Sequence, residues 1–511
     1  MVDKLPETPA FGTRGNTWEA THDQLVRSLY DMMTRLFYRV NRAVTRDDEP
    51  HLFAVDYGVS ASATAAVNTA AINAAMDDAV VLGKRRIYLP AGQLNFNAWD
   101  SVTDNAMEFY GMGDFTGGTE LRFAHATGDS IVFSGGQHNA LRDVFITSSV
   151  YKTSGYAIKI AGGAYTPRIE NIRIDLHHNG IWVGYSAETY LRRIRMRYMH
   201  GTQGIYVAGT SAALGVFGCT ADYFNADNPY PQTYGTFKTW TTTTAFSLND
   251  IIQNNGNIYQ CSTAGTSAGS GTGPSGIPGS GTPDAAFTTA ITDNTARWKY
   301  VASGSLVWFL QDNYAYSCAC NDSALLNGGY GYRMIDSANT GSSYPMWFNS
   351  TNLELDHNLN MGAELAAGEG FFVEGFWQGS VLAGPGTVFG ASFRGEASIG
   401  AGSRIWANYT HGITVAAGPA AINISDSVIG LNGQATANTY DNINLAASAA
   451  RVIISNNFIG TGASSGQARY GVFGGAGVGR IIIEGNDLGG NVTAGTNLAT
   501  GGTIFVENNN V

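Results

Sequence analysis

The sequence predicts an all-β solenoid, a parallel β-helix that begins behind an α-helix and is interrupted by a small inserted β module. Three observations lead there. Of 511 residues, 65 are Gly and only 14% are charged, a composition that suits short strands and tight turns and is unlike a helical enzyme or a disordered acidic tail. Short alternating segments recur: Asn171-Ile-Arg-Ile-Asp175 matches Arg193-Ile-Arg-Met-Arg197 at an offset of 22, and Asp143-Val-Phe-Ile-Thr147 at 28. The following strands, Gly180-Ile-Trp-Val183 and Gly204-Ile-Tyr-Val207, repeat at 24. Near the end, Ile424–Gly430, Ile454–Gly460 and Ile483–Gly489 repeat at 30 and 29, with Tyr440 and Tyr470 also 30 apart. Such a period means coils that complete one another's cores, and it accounts for a chain longer than one compact domain.

Composition also excludes function classes. A formal charge of -11 with only 29 Lys plus Arg lacks the basic footprint of nucleic-acid binding. No run approaches 18 apolar residues, so no membrane insertion is expected. Cys219, Cys261, Cys318 and Cys320 are too few and too irregular for a disulfide framework or a zinc site, and read as buried small hydrophobes. His177 and His178 are adjacent and would point oppositely on a strand, so no metal and no cofactor is expected.

The first element, within residues 1–50, is a helix opened by Asn16 and Glu19, a capping-box-like pair. Val26, Tyr30, Met33, Phe37, Val40 and Val44 form a heptad seam, widened by Leu25, Leu29, Met32 and Leu36. That double stripe predicts a three-stranded bundle or docking on a larger assembly, the alternative being packing against its own domain. Residues 51–226 follow as the start and first rungs of the β-helix. They open with Phe53-Ala-Val-Asp56-Tyr-Gly58-Val59, an Ala-rich helix over Thr64 to Val81, and Arg86-Ile-Tyr-Leu-Pro90-Ala-Gly92.

These three segments resemble the opening of pectate-lyase-like β-helix proteins, and within them bacteriophage tailspikes and capsule depolymerases. One departure is Ser60-Ala-Ser-Ala-Thr64 where an acidic, Gly-rich stretch is usual. The resemblance implies a right-handed parallel β-helix in a homotrimer, joined to phage tail or adaptor proteins through the N-terminal helix. It also implies a virion protein, made in the host cytoplasm, that recognises a bacterial surface polysaccharide, either lipopolysaccharide O-antigen or capsule. The sequence ends at Gly502–Val511 still within a rung, which places the expected trimer contacts on the N-terminal helix or on the flanks of the coil.

Residues 227–304 interrupt the repeat with a Gly-, Ser- and Thr-rich stretch, 262–276, that has no periodicity. Around it, Trp240, Tyr259 and Trp298 suggest either a sugar-binding module or a small β core. Residues 305–511 resume the rungs. Alternation puts Ile172, Ile174, Ile194 and Met196 inward, while Asn456-Asn457 suits left-handed turns and side-chain ladders.

Glycoside hydrolysis needs two carboxyl groups, one protonated and one ionised, and Asp322, Glu354 and Asp356 are the candidates. Leu353 and Leu355 should face inward, which puts Glu354 and Asp356 outward together. Glu374 and Asp312 are reserves, and Trp347, Trp377, Glu374, Arg195 and Arg197 are expected to hold substrate. Arg193, Arg195 and Arg197, with His177, His178, His200 and Tyr198 nearby, keep a polysaccharide lyase open, in which arginine stabilises an enolate. Asp175 beneath Arg197 reads as a cross-strand ion pair. A third reading is a non-catalytic receptor-binding or tail structural protein.

Overall fold

The computed structural model describes residues 51–115, 117–228, 237–277, 284–337, 346–366, 370–373, 376–378, 385–389, 396–400, 402–416, 418–446, 449–460, 468–499 and 503–510. The chain divides into Met1–His51 and Leu52–Val511. The predicted helix over 16–44 lies outside the described residues, as does Glu374.

Leu52–Val511 is built on a right-handed parallel β-helix, each coil contributing strands to three ladders whose pairings are all parallel. The first ladder runs through 168–170, 186–192, 216–222, 315–321 and 346–351. The second runs through 172–175, 194–197, 225–227, 323–326 and 353–356. The third runs through 179–183, 203–207, 307–311, 330–334 and 361–365. Repeats legible in the sequence are the registers observed: Ile172 pairs Ile194 and Val144, Ile181 pairs Ile205, and Ile424, Ile454 and Ile483 stack in one column. All of these Ile side chains are 0% exposed. With strands about 4.8 Å apart, each covers its equivalent on the next rung, worth roughly 1.5–3 kcal/mol per buried side chain. In mid-shaft the interior is filled by aromatic rings packed across ladders, Tyr332 stacking on Phe348 at 3.8 Å and Phe372 tilted against Phe376 at 4.4 Å.

The corners of the coil are marked by left-handed residues that repeat in register. Asp143, Asn171, Arg193, Tyr223, Asp322, Asn352, Asp426 and Asn456 all have φ between 48° and 59° and separate the first ladder from the second. Asn and Asp adopt this conformation readily, whereas Tyr and Arg are held in it at a cost of about 1–2 kcal/mol each. At the same corner an internal ladder forms: Asn457 N–H donates to Asn486 Oδ1 (2.9 Å), and Asn486 N–H to Asn509 Oδ1 (2.9 Å). Their side-chain amides donate inward to the carbonyls of Ile424, Ile454 and Ile483, each at 2.9 Å. Polar groups at a buried turn are thereby satisfied from rung to rung.

The helix Ala65–Val81, capped by Thr64, lays Ile72, Ala75 and Ala79 over the first rung, and its buried Asn68 donates to Asn95 O at 3.0 Å. The chain leaves the coil after Asp227, which pairs Leu326 across 99 residues. The intervening segment folds into an antiparallel sheet of Ile251–Asn254, Asn257–Thr263, Ala296–Ser303 and Ala290–Asp293, beside a two-stranded ribbon of Ala245–Phe246 and Gly265–Thr266. Its core contains Phe246, Ile252, Phe287 and Tyr300, and also Tyr259 and Trp298, both fully buried. These last two rings therefore serve packing, not a sugar platform. All four cysteines are free and buried, with Cys219 directly below Cys318, and burial raises the Cys320 thiol to about 12.

Candidate functional site

On the second ladder, Leu353 and Leu355 are fully buried and Glu354 and Asp356 alternate with them on the outward face. Register places other predicted residues in the same two columns. Arg195 stacks through Asn225 and Ala324 to Glu354, and Glu354 to Trp377. Arg197 stacks through Asp227 and Leu326 to Asp356. Three rung spacings, roughly 14 Å, separate each arginine from its carboxyl, and the small side chains of Asn225 and Ala324 lie between on one column. The side chain of Trp377 lies outside the described residues.

The two carboxyls differ in surroundings. Glu354 is half-buried, and burial, then the charge of Asp356, push its pKa above the ordinary carboxyl value against the opposing effect of His357. Asp356 is gripped at both oxygens: His357 N–H donates to Oδ1 at 2.8 Å, and the His357 ring nitrogen Nδ1 lies 2.8 Å from Oδ2. A group biased toward its protonated form thus stands beside a carboxylate with a fixed orientation, the arrangement that separates acid from base.

Asp322 is not with them. Its register partner is Asn352, which donates to its Oδ1 at 3.1 Å, and it sits on the left-handed corner, exposed, with φ 48°. It lines a groove of about 540 Å³ over the outer face of the first ladder, together with Glu170, Tyr190, Arg192, Asp222 and Tyr223. Sequence reasoning missed this groove because it takes Arg193, Arg195 and Arg197 as one straight strand. The strand instead turns at Arg193 (φ 53°), so Leu191 and Ile194 both face inward and Arg192 joins the first-ladder surface. A positively charged or aromatic residue at a position occupied by Asn or Asp on other rungs was the available signal.

The remaining expectations resolve individually. Asp175 lies beside Arg197 in register, but its ion pair is with Arg173, whose Nε donates to Oδ2 at 2.9 Å; the shorter reach of an i, i+2 pair on one face wins. Arg197 packs over Tyr198 instead. His177 and His200 are 0% and 1% exposed and hydrogen-bonded inside the coil, His177 to Ser130 Oγ at 3.0 Å, so neither can meet a polymer. Asp312, 2% exposed, accepts from Ser337 N–H and Oγ–H at 2.9 and 2.7 Å and closes a turn. Trp347, expected to hold substrate, is 49% exposed. Among the described residues, no group of three His, Cys, Asp or Glu side chains could hold a metal ion.

No protein-family model matches the chain, and no curated protein sequence does. Solved structures similar to it include the A-module of the Azotobacter vinelandii mannuronan C-5 epimerase AlgE6, at 12% identity and TM-score 0.47 over 90% of this chain and 98% of that one. The tailspike protein 3 of bacteriophage CBA120 matches at 11% and 0.42, over 90% and 61%. The catalytic unit of a GH87 α-1,3-glucanase from Streptomyces thermodiastaticus matches at 12% and 0.43, over 90% and 69%. The fold is read from the parallel registers, and values this low add no weight to it or to any activity.

Proposed function

We propose that the chain is a carbohydrate-active β-helix protein of the tailspike kind, an endo-acting glycoside hydrolase that cleaves a bacterial surface polysaccharide, lipopolysaccharide O-antigen or capsule. The observation that carries this reading is the pair Glu354 and Asp356, side by side on one outward face in unlike environments. Glu354 donates its proton to the glycosidic oxygen as the bond to the anomeric carbon breaks. Asp356, aimed by His357, takes a proton from the water that attacks that carbon. The backbones of residues two apart on a strand stand roughly 6.6 Å from each other, and side chains that project in parallel from them leave room for a water between two carboxyls, as inversion at the anomeric centre requires. Arg195 and Arg197, farther along the same columns, hold the polymer along the shaft.

On the same reading, residues 1–50 join the phage tail and three chains form one spike, which predicts a mass in solution three times that of one chain. The test of the chemistry is release of new reducing ends from purified host polysaccharides. Glu354→Gln should lower it 10²- to 10⁴-fold while leaving polysaccharide retention intact. Undiminished release by this variant would remove the assignment. Retention without any release by the parent chain would make the protein a non-catalytic receptor-binding protein.

A further inference from the structure

The groove on the first ladder lies across the left-handed corner from Glu354 and Asp356, and no role above uses it. It is an open trough of about 540 Å³, shaped for a chain lying along the shaft and not for an enclosed ligand. Its walls alternate in chemistry along the shaft. Glu170, Arg192, Asp222 and Asn321 occupy one column on successive rungs, offering acceptor, donor, acceptor and amide at a spacing of about 4.8 Å. Glu170 is held by Arg142 at 3.3 Å and Asp222 by the Asn321 amide at 3.0 Å. A carboxylate has about four acceptor sites, so capacity remains for a ligand. Tyr190 and Tyr223 flank this column at 43% and 45% exposure, two flat faces beside a row of hydrogen-bonding groups.

We propose that this groove is a second carbohydrate-binding site, which grips a stretch of the same polysaccharide away from the cleaving pair. The pattern fits a saccharide better than a peptide or an apolar partner. Hydroxyl groups both donate and accept, so they satisfy acids, amide and guanidinium alike, while the apolar faces of sugar rings stack on tyrosine. Mixed charge along one column would leave an apolar partner's surface with buried, unpaired groups. The proposal rests on the polysaccharide reading above but separates from it, because it assigns holding, and not cleavage, to the first ladder.

The test uses the full chain, with the polysaccharide that it shortens as the probe. In the double variant Tyr190→Ala, Tyr223→Asn, both sites are exposed and Asn suits the left-handed position, so folding is preserved. Retardation in gels containing the polymer should weaken at least tenfold and KM for the polymer should rise, with kcat on short limit fragments unchanged. Asp222→Asn should give a smaller effect of the same kind. Unchanged retardation and KM in the double variant would overturn the second site and leave the hydrolase standing. Loss of kcat on short fragments would overturn it too, by making the groove part of the cleaving site. Failure of the parent chain to retard or shorten any surface polysaccharide would remove both readings together.

Discussion

The shaft and the inserted module bury similar side chains by opposite means. In the module, an antiparallel sheet and its ribbon gather Phe246, Tyr259, Trp298 and Tyr300 from one excursion of the chain into a single core, which Tyr151, Leu176 and Tyr198 of the coil pack against. In the shaft no coil has a core of its own, and Phe348 is covered by Tyr332 and Phe372 of neighbouring rungs. The same change in the two regions should therefore have different reach. Phe348→Ala should cost about 3–5 kcal/mol and lower the melting of the whole coil. Trp298→Ala, similar in cost, should lose its protection from hydrogen exchange only over 245–303. A single coincident transition in both variants would mean that module and shaft are one cooperative unit.

The polar interior sharpens the contrast further. Asn486→Ala removes an acceptor for the Asn457 amides and two donors to carbonyls in the coil, and should cost about 2–3 kcal/mol through buried groups left unpaired. Calorimetry of the variant reads this directly. A loss under about 0.5 kcal/mol would show that water enters the corner and replaces the ladder.

The seam between the two regions should respond to acid. Lys152, fully buried, has its ammonium against the His125 ring, Gly128 O and Ser130 Oγ. His200 donates through Nε2 to Lys152 O, stacks on Tyr151 and accepts at its carbonyl from Tyr300 of the module. His177 and His178 complete the cluster, and Asp129, the carboxylate that acts on Lys152 among the described residues, is paired with Lys159. Burial lowers His200 from 6.5 to about 4 and Lys152 from 10.5 to about 7. The unfolded chain therefore binds these protons first. The His200 contribution is intact above pH 6.5 and lost as pH falls toward 4, by roughly 3 kcal/mol. Stability measured from pH 8 to 4 should fall, and His200→Gln should flatten the lower part of that slope; an unchanged slope would sink the assignment.

Much of the architecture was legible because stacking makes register visible as an offset. Ile172 to Ile194 and Ile454 to Ile483 are both repeats in the sequence and neighbours in space, for the same reason: identical apolar positions must lie over one another. The outward pair Glu354 and Asp356 followed from Leu353 and Leu355 by the period of two. Asp322 did not, since an offset of 32 residues to Glu354 ignores the corner residue that carries it onto another face. Arg192 and Asp222 were missed for the same cause, a turn of one residue within what reads as a continuous strand.

The amino-acid sequence by itself determined the coil, its period, the excursion near Asp227 and which side chains face inward, because alternation and repetition are local properties that every rung must obey. Only tertiary structure decided which outward residues share a surface. That depends on where single left-handed residues such as Arg193 and Asp322 bend the chain, and on neighbours one rung away that compete for each charge, as Arg173 does for Asp175. Local pattern sets inside from outside, and the stacking of distant coils sets what stands beside what.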